Sequence, residues 1–252
     1  MGKIKIGLIG IVHEAAAKDF WGTMRRVREI GYQGIEGAEP LFKGDVAANL
    51  AQFHALGLKV LTVSASMEQL QNDVEAVIAR ATSVQSPRVT VWWAECKSKD
   101  EILREAATLN AAGAKLAAQG LKLCYHNHDQ EFRNRFNGVY ALDLLAEYTD
   151  PAAVYFNIDI AWVTMGGEDP VKILEKMAGR VPAIHVKDFW GLDDRSKFTA
   201  PGTGVVHTYQ AVQAAIDTGV EWAVVEQDTL RNLTAFETIT LGYLYLKEAG
   251  LV

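Results

Sequence analysis

A strand-then-helix unit recurs eight times along this chain, and the recurrence restricts the fold more than any other feature. Short β-rich apolar runs occupy residues 4–9, 34–36, 58–64, 88–93, 121–128, 154–158, 183–187 and 222–226. Longer segments rich in Ala, Leu, Glu and Lys, with apolar positions at helical spacing, separate them. Strands joined through helices pair in parallel. Eight such units in 252 residues imply a closed (β/α)8 or TIM barrel, an α/β fold. The rival is an open doubly wound sheet, but no Gly-x-Gly-x-x-Gly follows the first strand. No linker interrupts the alternation, so residues 1–252 read as a single domain.

Local signals punctuate the units. Gly31 closes a helix over 16–30, and Asp45 caps one that runs to Leu56 and ends at Gly57. A helix over 68–82 stops before Pro87. Ser98 opens a long Ala-rich helix that Gly120 ends. Further helices are expected over 138–148, from the Asp169-Pro170 pair onward, over 207–218 and over 233–248. Residues 188–206 carry glycines and little periodicity, which makes them a loop with a function or a disordered one.

Composition narrows the function classes. Apolar residues make up 49% of the chain, enough for a sizeable core, and the net charge of −6 disfavours a nucleic-acid or anionic-membrane surface. Two distant cysteines, Cys96 and Cys124, form neither a disulfide framework nor a Cys-x-x-Cys metal motif. Reduced thiols and an N-terminus that reads as a strand rather than a signal peptide point to the cytoplasm. No apolar run approaches the ~20 residues that span a bilayer.

Barrel active sites form where strands end. Strands five to eight end in or near His126, Asp159, His185 and Glu226. Period-two alternation turns Leu121, Leu123, Tyr125, Phe156, Ile158, Ile184, Val186 and Val225 outward. It turns Cys124, His126, His128, Asn157, Asp159, His185, Lys187 and Glu226 inward. Any one of the four polar ends could be a hydrogen-bonded barrel residue. Four at one height on adjacent strands call for a counter-charge. Two carboxylates and two imidazoles suit one divalent ion, Mn²⁺, Mg²⁺, Co²⁺, Fe²⁺ or Zn²⁺.

Six segments then resemble, in order, the sugar phosphate isomerase/epimerase family of xylose isomerase-like barrels. They are Tyr125-His-Asn-His-Asp-Gln-Glu-Phe132, Asn157-Ile-Asp-Ile-Ala-Trp162, Gly166-Gly-Glu-Asp-Pro170, His185-Val-Lys-Asp188, Pro201-Gly-Thr-Gly204 and Val225-Glu-Gln-Asp228. The resemblance implies a metal held by Glu, Asp, His and Glu on strands five to eight. Asp159, His185 and Glu226 fit the last three places. His126 stands at the first, so the fourth ligand is His126, a Glu131 that swings back, or His128. The resemblance also implies proton transfer next to a carbonyl through an enediolate, by an isomerase or epimerase acting on a keto-sugar or related polyol. A metal-dependent lyase or dehydratase of a keto-sugar, keto-glycoside or keto-inositol is the alternative. Glu226, Glu131 or His126 is the candidate base.

Lys187 lies one inward position beyond His185 and is a candidate to stabilise an enediolate. Glu36, ending strand two, resembles the family's substrate-side acid. His128 is a further candidate for substrate contact, and Trp162 for an aromatic wall against a sugar. Gly202-Thr-Gly204 offers backbone N–H groups to an anion. The expected partner is a small carbohydrate, with a homo-oligomer left open. An endonuclease IV-like repair enzyme and a non-catalytic sugar-binding barrel are the readings from other classes.

Overall fold

A computed structural model describes residues 2–37 and 39–252. Eight parallel strands close a barrel: β1 (Lys5–Ile9), β2 (Gly34–Glu36), β3 (Lys59–Ala65), β4 (Arg88–Val91), β5 (Lys122–His126), β6 (Val154–Asp159), β7 (Ala183–Val186) and β8 (Trp222–Val225). Each pairs with its sequence neighbours, and β8 closes onto β1 with Gly7 opposite Val224. The outward residues of every strand pack on the helices in one continuous core. No helix among the described residues is long and apolar enough to cross a membrane.

The barrel floor explains two glycines. Leu61 packs with Ala183, Trp222 and Val224 inside the barrel. A Cβ on either Gly7 or Gly34 would lie 2.5 Å from a Leu61 methyl. The two bare backbones therefore make room for one leucine that plugs the lower barrel, which leaves the upper end for chemistry. A Thr62–Thr90 hydroxyl pair at 2.8 Å forms the next interior level.

Several helices are shorter than their sequence pattern predicts. The expected helix over 16–30 is two, His13–Lys18 and Phe20–Ile30, because Asp19 leaves helical geometry and its carboxylate caps the second at Gly22 N–H. The expected helix over 68–82 is likewise two, Met67–Asn72 and Val74–Ser83, with a capping box between Ser66 and Gln69 at its start. A two-stranded ribbon (Arg135–Phe136 with Val139–Tyr140) precedes helix Ala141–Tyr148 where a longer helix is expected. Periodicity does not register a capping residue inside a run, so it fuses such segments.

Candidate active site

The upper barrel gathers the polar strand ends. His126 ends β5, Asp159 ends β6, His185 lies within β7, and Glu226 follows β8. One donor atom from each lies within 4.8 Å of the others. Helix Ile160–Met165, which the sequence pattern does not reveal, accounts for the pose of Asp159. Its Oδ1 accepts the N–H groups of Ala161 and Trp162 as the helix cap, at 2.9 Å each. Its backbone N–H donates to Asn127 Oδ1 at 3.0 Å. The cap fixes the carboxylate and leaves Oδ2 facing the cluster.

His185 is held from both sides. Its Nδ1 lies 2.7 Å from Glu226 Oε2, and its Nε2 lies 2.8 Å from Glu36 Oε2 and 2.9 Å from the Asn157 amide. Burial opposes a charge on this ring, but the two carboxylates overcome it and raise its pKa to about 10. His126 has the opposite balance: burial, then the neighbouring His185, holds its pKa well below the usual imidazole value. Lys187 is 1% exposed. Its ammonium lies 2.9 Å from Asp228 Oδ1, 3.2 Å from Glu226 Oε2 and 3.3 Å from Asp159 Oδ2. Burial opposes that charge too, and the three carboxylates raise its pKa nonetheless.

The donor set fits a divalent ion on two counts. Among the described residues, the buried atom His126 Nδ1 has no hydrogen-bond partner, and Asp159 Oδ2 meets only the Lys187 ammonium, as an ion pair at 3.3 Å. An orphan such as the His126 nitrogen costs about 1–3 kcal/mol unless something meets it. The charges also fall short. Glu36, Asp159, Glu226 and Asp228 bring four carboxylates to the barrel end, against the permanent cations Lys187 and Arg88, the latter 3.7 Å from Glu36. With His185 neutral as a ligand, two negative charges remain, matching the charge of one divalent ion.

Glu131 is not in this group. Its carboxylate accepts from the Tyr125 hydroxyl at 2.5 Å and the His128 backbone N–H at 2.8 Å. Tyr125 faces away from the barrel interior, against Phe156, and Glu131, held by its hydroxyl, sits behind the strand end. Burial raises its pKa to about 7. His128 stands at the mouth, between the rings of Trp93 and Trp162, with Nδ1 unpartnered among the described residues. Burial, then the Lys187 charge, lowers its pKa to about 4. Glu36 lies inward, on His185. Trp162 is buried behind Lys187, whose ammonium lies 5.0 Å from its ring centre. His126, His128, Glu36 and Glu226 line one cavity of about 300 Å³ with Ser64, Trp92 and Asp228.

Two features lie beyond the strand-end reading. Arg88 and Asp228 complete the charge set, yet their pairing depends on β4 meeting β2 at Glu36 and on β8 meeting β7 at Lys187. The 188–206 segment is ordered by its own first residue. Asp188 accepts N–H groups from Phe189, Gly202, Gly204 and Val206, between 2.8 and 3.0 Å. The anion expected at Gly202-Thr-Gly204 is thus the Asp188 carboxylate of the chain itself. Strands Asp188–Phe189 and Phe198–Thr199 pair above it, and Arg195 reaches from this loop to Asp129 at 2.8 Å.

Known proteins share this architecture. An inosose dehydratase of Lacticaseibacillus casei is 25% identical over 191 residues, covering 69% of this chain and 59% of that protein. The match therefore spans less than two thirds of the relative's length. A sugar phosphate isomerase/epimerase from Parabacteroides distasonis superposes with a TM-score of 0.85 at 22% identity, with each chain covered completely. A probable 3-DHS dehydratase from Bacillus anthracis superposes at 0.80 with 16% identity, over 97% of this chain and 98% of that one. At those identities the two structures show the fold alone. The family model described as xylose isomerase-like TIM barrel matches residues 24–238, and the chain belongs to that family.

Proposed function

We propose that the chain is a divalent-metal-dependent enzyme that removes a proton beside the carbonyl of a keto-polyol, and that the reaction ends in loss of water. The observation that carries this reading is the convergence of His126, Asp159, His185 and Glu226 on one point beside a cavity. A divalent ion bound there polarises carbonyl and hydroxyl oxygens and acidifies the adjoining C–H.

The side chains divide the remaining work. His126, Asp159, His185 and Glu226 hold the ion, and Glu36 fixes the orientation of the His185 ring. His128 lines the cavity beside this cluster and takes the proton from carbon. The Lys187 ammonium, shared with Asp228, donates a hydrogen bond to the oxygen that gains negative charge. His128 then returns that proton to a hydroxyl on the next carbon, which leaves as water, and a carbon–carbon double bond replaces the broken C–H and C–O bonds.

Dehydration is preferred to epimerisation on one observation. The family's paired-glutamate chemistry needs a carboxylate on the strand-five side, and there this chain presents imidazoles while Glu131 faces Tyr125. The name of the L. casei relative agrees. Glu36, Glu226 and Asp228 in the cavity lining also favour an uncharged substrate over a phosphorylated one. The test is incubation with an inosose and Mn²⁺, followed by mass spectrometry. A product lighter by one water supports dehydration. A product of unchanged mass that carries solvent deuterium would assign an isomerase or epimerase. No turnover of inososes or keto-sugars at any Mn²⁺ concentration would overturn the reading.

A further inference from the structure

A second, larger cavity lies beside the first. It measures about 740 Å³ and opens between helix Met67–Asn72 and helix Lys99–Ala118. Trp92 lines both cavities. Trp93 lines the larger one and packs edge-on against His128 in the smaller, with ring centres 5.3 Å apart. Trp92 is thus a wall common to the two spaces, and Trp93, next to it after β4, touches the ring of His128. Trp92 is 55% exposed, an unusual position for so large an apolar surface beside a reaction site.

The groove around Trp92 carries free polar groups. Glu68, Gln71 and Arg104 line it with exposed side chains. None of the three donates or accepts a side-chain hydrogen bond among the described residues. Glu105, by contrast, is committed to the backbone of Glu95, and Glu101 to that of Lys97. The lining has four glutamates against one arginine, so an anionic ligand is repelled. An apolar aromatic face rimmed by free donors and acceptors, with no positive surplus, matches an uncharged sugar ring. Such a ring stacks its C–H face on the indole and pairs its hydroxyls with the rim.

We infer that the Trp92 groove is a subsite for a second, uncharged sugar ring, so that the substrate is a glycoside of the keto-polyol held in the inner cavity. This rests on the keto-polyol reading only for the identity of the inner ring. Binding of the outer ring needs no turnover and is tested separately.

The test is calorimetric titration of the Mn²⁺-loaded protein with cellobiose and with glucose, for wild type, Gln71→Ala and Trp92→Ala. The wild type is expected to bind the disaccharide about tenfold more tightly than the single sugar. Gln71→Ala is expected to lose most of that preference while keeping its affinity for glucose, and Trp92→Ala to lose the preference entirely. Equal affinity for the two sugars in the wild type, or a preference that survives both substitutions, would overturn the subsite. Inosose turnover read in parallel separates the two ideas. Turnover without a disaccharide preference sinks the subsite alone. A preference without turnover sinks the reaction and leaves the subsite standing.

Discussion

The Tyr125 hydroxyl donates to Glu131 at 2.5 Å, behind the strand end that carries His126. The contact turns Glu131 away from the four-donor cluster to which His126 belongs. Tyr125 occupies an outward position of β5, so the glutamate it holds is turned from the cavity, whereas His126, at the end of β5, lines it.

That buried glutamate gives stability a pH dependence of known sign. Burial raises its pKa from 4.5 to about 7, so the folded state keeps a proton that the unfolded state releases. The stabilisation is complete below about pH 4.5 and is lost as pH rises to about 7, roughly 3 kcal/mol in all. Denaturant midpoints of wild type and Glu131→Gln across that window should diverge, with the wild type losing stability relative to the variant as pH rises. Parallel curves would remove Glu131 as the source.

Lys187 should separate metal affinity from turnover. Its ammonium lies 3.2 Å from Glu226 and 3.3 Å from Asp159, two of the four donors, so it repels a cation bound there. Lys187→Met is expected to tighten Mn²⁺ binding by about tenfold or more. The same change is expected to lower kcat about a hundredfold by removing the donor to the developing charge. Isothermal titration and steady-state kinetics on one preparation measure both, and a variant that loses metal affinity would contradict this assignment.

Much of this arrangement was legible in the sequence because it follows from period-two alternation. Eight apolar runs placed the strands, and alternation placed His126, Asp159, His185 and Glu226 on the inner face. Three things were not legible. Asp159 caps a short helix, Ile160–Met165, whose sequence is apolar apart from Thr164 and has no amphipathic period. Glu131 is three residues past an inward position, where alternation no longer applies and Tyr125 decides. Asp188 orders its loop through N–H groups fourteen to eighteen residues away, a closure that local pattern does not encode.

Asp188 supplies a prediction about that loop. A Cβ on Gly204 would lie 2.1 Å from the Phe189 carbonyl oxygen and 2.4 Å from Asp188 Oδ1, so the carboxylate and the bare glycine fit together. Asp188→Asn removes the charge from four N–H···O contacts and puts an amide donor among donors. The expected cost is about 2 kcal/mol of local stability. Hydrogen exchange at the 202, 204 and 206 amides should speed up in the variant while β-strand amides are unchanged. Uniform acceleration across the barrel would instead mean global destabilisation.

Replacing Glu36 should act through His185. With Glu36→Gln, the His185 Nε2 contact at 2.8 Å loses its charge and the ring its fixed tautomer. Mn²⁺ affinity is expected to fall roughly 10–100-fold, with the one-ion stoichiometry kept at saturation. Unchanged affinity would show that Glu36 does not orient the ligand.

The most direct test of the account is calorimetric titration with Mn²⁺ of wild type, His126→Ala and Glu131→Gln. One ion is predicted to bind the wild type and, with similar affinity, Glu131→Gln, whereas His126→Ala should bind at least about a hundredfold more weakly. Retention of the ion by His126→Ala together with its loss from Glu131→Gln would contradict the account at its centre.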